Sequence, residues 1–443
     1  MKPAPSPTAS PRSASAPLAL LGGPKAVPAE NPDLFRWPII TEEDEQAVLA
    51  VLRAGNMSGT DVTRQFEREF ADWMGLPHAL AHPNGTTALQ AAMWACGVRR
   101  GDEVVCPSMT YWASGLPALT LGATIVWADI DPRSLCLDPA SLAARLGPRT
   151  RAVVVVHYAG HPADLDPILA LCRPRGIRVI EDVSHAHGGL YKGRKLGSIG
   201  DCGAFSCMSG KSLAIGEGGM LVTADRRIHE LAIAWGHYER HGRQCDELTL
   251  PEAMRFAGLP LGGVKNRLNQ LSSALGRVQL RHYDARNEEI LRAMNYFWDA
   301  LEGTPGVRAH RPPPEVGRMG GWYFPRALYV AEELGGLPLA RFCEALRAEG
   351  FPANPGASAP LHLHPLVNEA DIYGDGCPTV VANARAGGPD ARDPRAPRGS
   401  LPVSESVEQF VFSVPWFKHF RPAEIDPYVE AVRKVSARAA ELR

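Results

Sequence analysis

The run Ala152-Val153-Val154-Val155-Val156 is apolar without a break. A strand with one wet face alternates apolar and polar residues, so an unbroken run belongs to a strand covered on both faces. Around it, from about residue 57 to 235, short strand candidates alternate with helical stretches. Strands are expected at Glu103–Pro107, Thr124–Ala128, Arg151–His157, Arg178–Asp182, Gly203–Cys207 and Met220–Thr223. Helices are expected at Thr87–Cys96, Pro139–Arg145, Leu165–Arg173 and Arg227–Trp235. This alternation implies βα units and an α/β fold with a mostly parallel sheet, helices on both faces. At 443 residues the chain is long enough for one large domain and a smaller one.

Ligands of open α/β sheets bind outside the carboxyl ends of the strands. Asp182, Ser206 and His157 all fall at such ends. Beyond Ser206, Lys211 follows a Ser-x-x-Ser-Gly turn, and Gly216-Glu217-Gly218-Gly219 comes after it. A strand-end aspartate and a loop lysine among Ser and Gly match the needs of pyridoxal 5′-phosphate (PLP). The lysine holds that cofactor covalently, and the aspartate keeps its pyridine nitrogen protonated. Most lysines are solvated surface charges, and Asp182 has a plainer role as a helix N-cap. It is their joint placement that raises the functional reading. His185, three residues on, is placed to cap a turn or to meet the cofactor's 3′ oxygen.

Asn84-Gly85-Thr86-Thr87-Ala88-Leu89 is a turn opening into a helix, which offers free N–H groups to an anion. Taken alone, a simple capped helix is the weightier reading. Gly85, Thr86 and the Ser206 hydroxyl are phosphate candidates. In Thr110-Tyr111-Trp112, Tyr111 is the candidate to stack on a planar ring.

Composition excludes several classes. The formal net charge is −1, and no basic stripe argues for nucleic acid. No run of about 20 apolar residues argues for a membrane span. Nine scattered cysteines form no CxxC pair and no metal-ligand spacing, so no metal is expected and reduced thiols in a cytoplasm are. Residues 1–16 are rich in Pro, Ser and Ala and read as a disordered tail, too weakly apolar for a signal peptide.

Three further segments are expected. Residues 17–56 pack on the small domain, 57–284 form the large cofactor-binding domain, and 285–443 form a small α+β C-terminal domain. Helical spacing of Leu268, Leu271, Leu275, Val278 and Tyr283 marks a long connector from Asn266 to about Leu301. A strand at Trp322–Val330 and helices at Pro338–Glu349 and Pro422–Arg433 follow. The Gly- and Pro-rich residues 371–400 read as a mobile surface loop.

The ordered set of motifs resembles the DegT/DnrJ/EryC1/StrS family of PLP-dependent sugar and cyclitol aminotransferases over roughly residues 36 to 430. It comprises Asn84–Leu89, Gly101-Asp102-Glu103-Val104-Val105, Val156–Asp164, Glu181–Gly188, Phe205-Ser206, Lys211, Gly216–Gly219 and Asn266-Arg267-Leu268. The resemblance implies the fold type I aminotransferase architecture and amino transfer from glutamine or glutamate to a keto-cyclitol or keto-sugar. It implies that Lys211 holds PLP, Asp182 pairs with the ring nitrogen and His185 lies near the 3′ oxygen. Gly85, Thr86 and Ser206 would bind phosphate, and Tyr111 would stack. Asn266 would reach the phosphate of a partner subunit, which implies a homodimer with shared sites. His157, Tyr158 and His364 are substrate candidates. Some relatives carry histidine in place of the lysine and act as dehydratases; Lys211 argues for transamination. The opening Leu20–Val27 resembles the cyclitol branch more than the nucleotide-sugar branch. Alternatives are a nucleotide-diphosphate keto-sugar acceptor, a PLP-dependent dehydratase, and a PLP-binding regulator. Phe205-Ser206-Cys207, where the family has Phe-Ser-Phe, and the 371–400 segment depart from the pattern.

Overall fold

A computed structural model describes residues 16–29, 31–241 and 247–443. Residues 1–15, most of the tail expected to be disordered, lie outside the described residues.

Seven strands form the main sheet: β1 (His78–His82), β2 (Glu103–Pro107), β3 (Thr124–Ala128), β4 (Thr150–Val156), β5 (Arg178–Asp182), β6 (Cys202–Ser206) and β7 (Gly219–Thr223). Their spatial order is β1-β7-β6-β5-β4-β2-β3. β7 pairs antiparallel with both β1 and β6, and the other four pairings are parallel. The Val run is β4, a central strand whose Ala152 to Val156 are buried. Of the six strands expected from the sequence, Glu103–Pro107, Thr124–Ala128 and Arg178–Asp182 have the observed bounds, and the other three lie within one residue of them. β1 carries no strong β signal; it forms because β7 offers an open edge.

A second core gathers around Phe297, Trp298, Phe342 and Phe412. It includes a three-stranded antiparallel sheet of β8 (Val307–Ala309), β9 (Arg326–Tyr329) and β10 (Val411–Ser413), with β9 central. The helix Gln270–Ala300 spans both cores, Tyr283 packing in the first and Ile290 to Trp298 in the second. Leu18, Val27 and Leu34 join the second core. A buried ion pair fastens them there: Lys434 meets Glu349 at 2.8 Å, and Glu349 accepts from the amides of Ala19 and Ala26.

Residues 371–400 are not the loose loop that their composition suggests. Thr379–Arg385 is a helix, in which Val380 and Val381 belong to the first core and Ala384 is buried. Asn383 donates to the carbonyls of Leu119 and Ala123, and Arg392 forks onto the buried Glu103 at 2.6 and 2.9 Å. The segment therefore packs on the large unit. Chain composition hid this because the anchors are single side chains whose partners are distant in sequence.

Among the described residues no helix is long and apolar enough to cross a membrane.

Candidate active site

The helix Gly85–Ala95 begins beside the end of β6. Asn84 caps it by accepting from Thr87 N at 2.9 Å, so the first amides, those of Gly85 and Thr86, lack intrahelical partners. Two glycines permit the approach. A Cβ on Gly85 would lie 2.8 Å from Ser206 Cβ, and one on Gly219 would lie 2.4 Å from Asn84 O. Gly85, Thr86 and Ser206 thus share one end of a cavity of about 370 Å³. The positive end of the helix faces it, as an anion requires.

Asp182 ends β5 on the same cavity and is 5% exposed. Ser114 Oγ donates to its Oδ2 at 2.7 Å, and Ser184 N donates to its Oδ1 at 3.1 Å. Thr110 Oγ1 lies 2.8 Å from Ser114 Oγ. The Ser114 proton is committed to the carboxylate, so Thr110 donates in turn.

Lys211 reaches the cavity from the loop after β6. Its amide donates to Met208 O at 2.8 Å, and its carbonyl accepts from Trp37 Nε1 at 2.9 Å. The amine stands 3.9 Å from the centre of the Tyr323 ring. Burial pulls its pKa down to about 8, against the opposing pull of the Asp182 charge. An amine so placed is a usable base and nucleophile near neutral pH.

His185 sits between two aromatic rings, 4.7 Å from Tyr323 and 5.6 Å from Tyr158. Burial and then the Lys211 charge hold it well below the usual histidine range, so it is neutral. Tyr158 lines the cavity and its hydroxyl lies 2.9 Å from Ser358 Oγ. Tyr111 also lines the cavity, 55% exposed at its mouth.

The segment Gly320–Phe324 supplies cavity residues that the sequence did not point to. Gly320 N donates to Gly160 O at 2.9 Å, and a Cβ on Gly321 would lie 2.1 Å from Ser212 Oγ. Trp322 and Phe324 hold left-handed backbone with φ of 51° and 60°. Such conformations cost energy and persist where surrounding structure imposes them. The Gly320-Gly321 pair was the available signal. Ser114, Trp37 and Ser358 carried none.

Three sequence candidates are placed elsewhere. His157 is fully buried: its Nδ1 accepts from Ala163 N and its Nε2 donates to Glu181 Oε2 at 3.0 Å. Glu181 also takes the amides of Gly197, Ile199 and Gly200, all at 2.7 Å. Burial opposes its ionisation, but the His157 bond and these amides prevail and its pKa is lowered. His157 is therefore a structural residue, a correction to its reading as a substrate contact. His364 is exposed and caps the short helix Pro365–Asn368, away from the cavity. Asn266 does not line the cavity of its own chain; its side chain is 2% exposed and donates to Trp235 O at 3.3 Å.

Residues 38–385 match the DegT/DnrJ/EryC1/StrS aminotransferase family. The chain belongs to this family. It is 37% identical over 343 residues to the L-glutamine:2-deoxy-scyllo-inosose aminotransferase of Streptoalloteichus tenebrarius, covering 74% of this chain and 79% of that protein. It is 32% identical over 419 residues to the spore coat polysaccharide biosynthesis protein SpsC of Bacillus subtilis, covering 90% and 96%. Among solved structures, an aminotransferase from Psychrobacter cryohalolentis superposes with a TM-score of 0.78 at 27% identity, covering 92% of this chain and 100% of that one.

The DegT-family chain is a PLP-dependent aminotransferase. Its residues fit that cofactor on geometric grounds. The glycine-built helix start would be filled by any Cβ and suits a phosphate, while a buried carboxylate and a buried amine face the space between.

Proposed function

We propose that this family member moves the amino group of glutamine or glutamate onto a ketone of a cyclitol or sugar, in building an aminocyclitol or aminosugar secondary metabolite. The observation that carries the reading is one cavity shared by Lys211, Asp182 and the Gly85-Thr86 helix start.

When bound, PLP supplies an electron sink for the charge left on carbon as its proton departs. The residues do the rest. The Gly85 and Thr86 amides and the Ser206 hydroxyl hold the phosphate. Asp182, oriented by Ser114, pairs with the ring nitrogen and keeps it protonated. Tyr111 covers the ring face and neutral His185 meets the 3′ oxygen. Lys211 anchors the cofactor and, when released, moves a proton as general acid and base. Its lowered pKa suits both duties.

Glutamine as donor and a free cyclitol as acceptor are supported by the relative named L-glutamine:2-deoxy-scyllo-inosose aminotransferase. Lys211 is the one lysine or arginine among the described residues lining the cavity, which favours a compact neutral ketone over a nucleotide diphosphate. Tyr158 and Ser358 are its polar contacts. The enzyme works as a homodimer in which Asn266 serves the neighbouring phosphate. The exposed Tyr111, Trp112 and Phe324 support an abutting copy. It works in the cytoplasm, in keeping with the eight free cysteines among the described residues.

A half-reaction screen tests this reading. Glutamine is expected to convert the PLP form to the pyridoxamine form, and a keto-cyclitol to return it with nitrogen transferred. Conversion by no amino donor, or consumption of the ketone with donor nitrogen retained, would defeat it.

A further inference from the structure

Lys211 is 8% exposed, and among the described residues no carboxylate lies within ion-pair distance of its amine. Other buried cations are held by carboxylates: Lys434 by Glu349 at 2.8 Å and Arg240 by Glu67 at 2.6 Å. The Lys211 amine meets a ring instead, 3.9 Å from the centre of Tyr323. The face of an aromatic ring attracts a cation within about 6 Å, most strongly where water is excluded.

Tyr323 is held firmly. Trp322 and Phe324 on either side have φ of 51° and 60°, conformations that persist only where the surroundings impose them. The Tyr323 ring lies 4.7 Å from His185, 5.4 Å from Phe324 and 5.8 Å from Trp416, the last at 90°. Trp416 rests 6.3 Å from Trp37, whose Nε1 donates to Lys211 O at 2.9 Å. One aromatic wall therefore grips Lys211 twice, at its carbonyl and at its amine.

We propose that Tyr323 is a positioning residue whose ring face receives the Lys211 ammonium each time the amine is released from the cofactor. The proposal rests on the transaminase reading above and deepens it. A released lysine has a flexible four-carbon stem, and a carboxylate partner would hold its proton tightly. A ring face restrains the ammonium without accepting a hydrogen bond along its N–H directions, so a proton can still be passed on. The same amine acts with the donor and with the acceptor, so Tyr323 serves both half-reactions alike.

Other ionisable groups face this pair. Asp182 favours the ammonium, while burial keeps the Cys207 thiol protonated and His185 and His187 neutral. Arg326 faces His185 and the Tyr323 phenol. A decisive test leaves all of these in place and changes only the charge on the ring face.

The experiment compares wild type, Tyr323→Phe, and the full chain carrying mono-, di- or trifluorophenylalanine at position 323. Fluorine drains charge from the ring face and nearly preserves its shape. Melting curves control for folding, and the milder rings supply the comparison if the trifluoro variant is unstable. The Lys211 amine is titrated by its rate of carbamylation with cyanate across pH, read on the Lys211 peptide by mass spectrometry. This is done in the cofactor-free chain and again in the pyridoxamine form. Tyr323→Phe is expected to keep the wild-type pKa, and fluorination to lower it stepwise by roughly half to one and a half pH units. The kcat values of both half-reactions are expected to fall together by about 2- to 30-fold, with the KM for glutamine and for the ketone unchanged. A pKa that is the same across the ring series would overturn the proposal, as would a rise in one KM with the pKa unmoved. A wild type that accepts no amino donor would instead overturn the transaminase reading, and the titration of the cofactor-free chain would still decide the role of the ring.

Discussion

Ser114 Oγ donates to Asp182 Oδ2 at 2.7 Å, and Thr110 stands 2.8 Å behind it. This chain of hydroxyls fixes the rotamer of a carboxylate that must meet a ring nitrogen in one orientation. Ser114→Ala leaves Oδ2 without that donor. The expected result is about a tenfold fall in kcat/KM, with a smaller loss of cofactor affinity. Steady-state kinetics beside a PLP titration separates the two. Asp182→Asn, which removes the charge itself, is expected to cost more.

Lys211 titrates near pH 8 because burial disfavours its charge. In the unfolded chain a lysine titrates near 10.4. Between these values the unfolded state binds more protons, so stability of the cofactor-free protein rises with pH. Wild type is expected to gain up to about 3 kcal/mol relative to Lys211→Met between pH 8 and 10.5, with no gain below pH 8. Denaturant midpoints across that range check the sign. The same variant is expected to lose covalent attachment of PLP, read by mass spectrometry after borohydride reduction.

Gly85→Ala places a Cβ 2.8 Å from Ser206 Cβ. The helix start must move away from β6, which opens the phosphate cradle. The variant is expected to fold with a loss of about 1–3 kcal/mol and to bind PLP much more weakly. Unchanged PLP affinity would contradict the placement of the phosphate.

His157 and Glu181 are both fully buried and 3.0 Å apart. His157→Phe is expected to destabilise the protein by about 1–3 kcal/mol, because Glu181 and Ala163 N lose their partner. The KM for the ketone is expected to stay the same. A selective rise in that KM would restore His157 to the substrate site.

Arg392→Ala leaves Glu103, which is 2% exposed, with Arg149 at 3.4 Å as its remaining cation. The expected loss is about 1–3 kcal/mol. Limited proteolysis is expected to cut near residues 371–400 sooner than in wild type, since the segment is held by this anchor.

Much of the site was legible because its elements are local. Asp182 and Ser206 end strands, Gly85 starts a helix, and Lys211 lies in a Gly-flanked loop, so strand periodicity and turn chemistry alone bring them to one rim. His157 shows where that reasoning breaks. It also follows a strand end, but successive residues point to opposite faces. Val156 lines the cavity, and His157 turns inward to Glu181. Residues 371–400 failed for another reason. Their Gly and Pro content describes the backbone, while the order comes from Asn383 and Arg392 binding groups more than 250 positions earlier.

By itself, the sequence determined the α/β layering, the strand-end rim and the identity of its amine and carboxylate, because these follow from patterns a few residues long. Tertiary structure decided how they are tuned. Trp37, Ser114 and Tyr323 come from distant segments and meet Lys211 or Asp182 only when the chain has folded. Hydrogen bonding, desolvation and charge pairing depend on what lies within a few ångströms in space. Spacing along the chain carries no record of that.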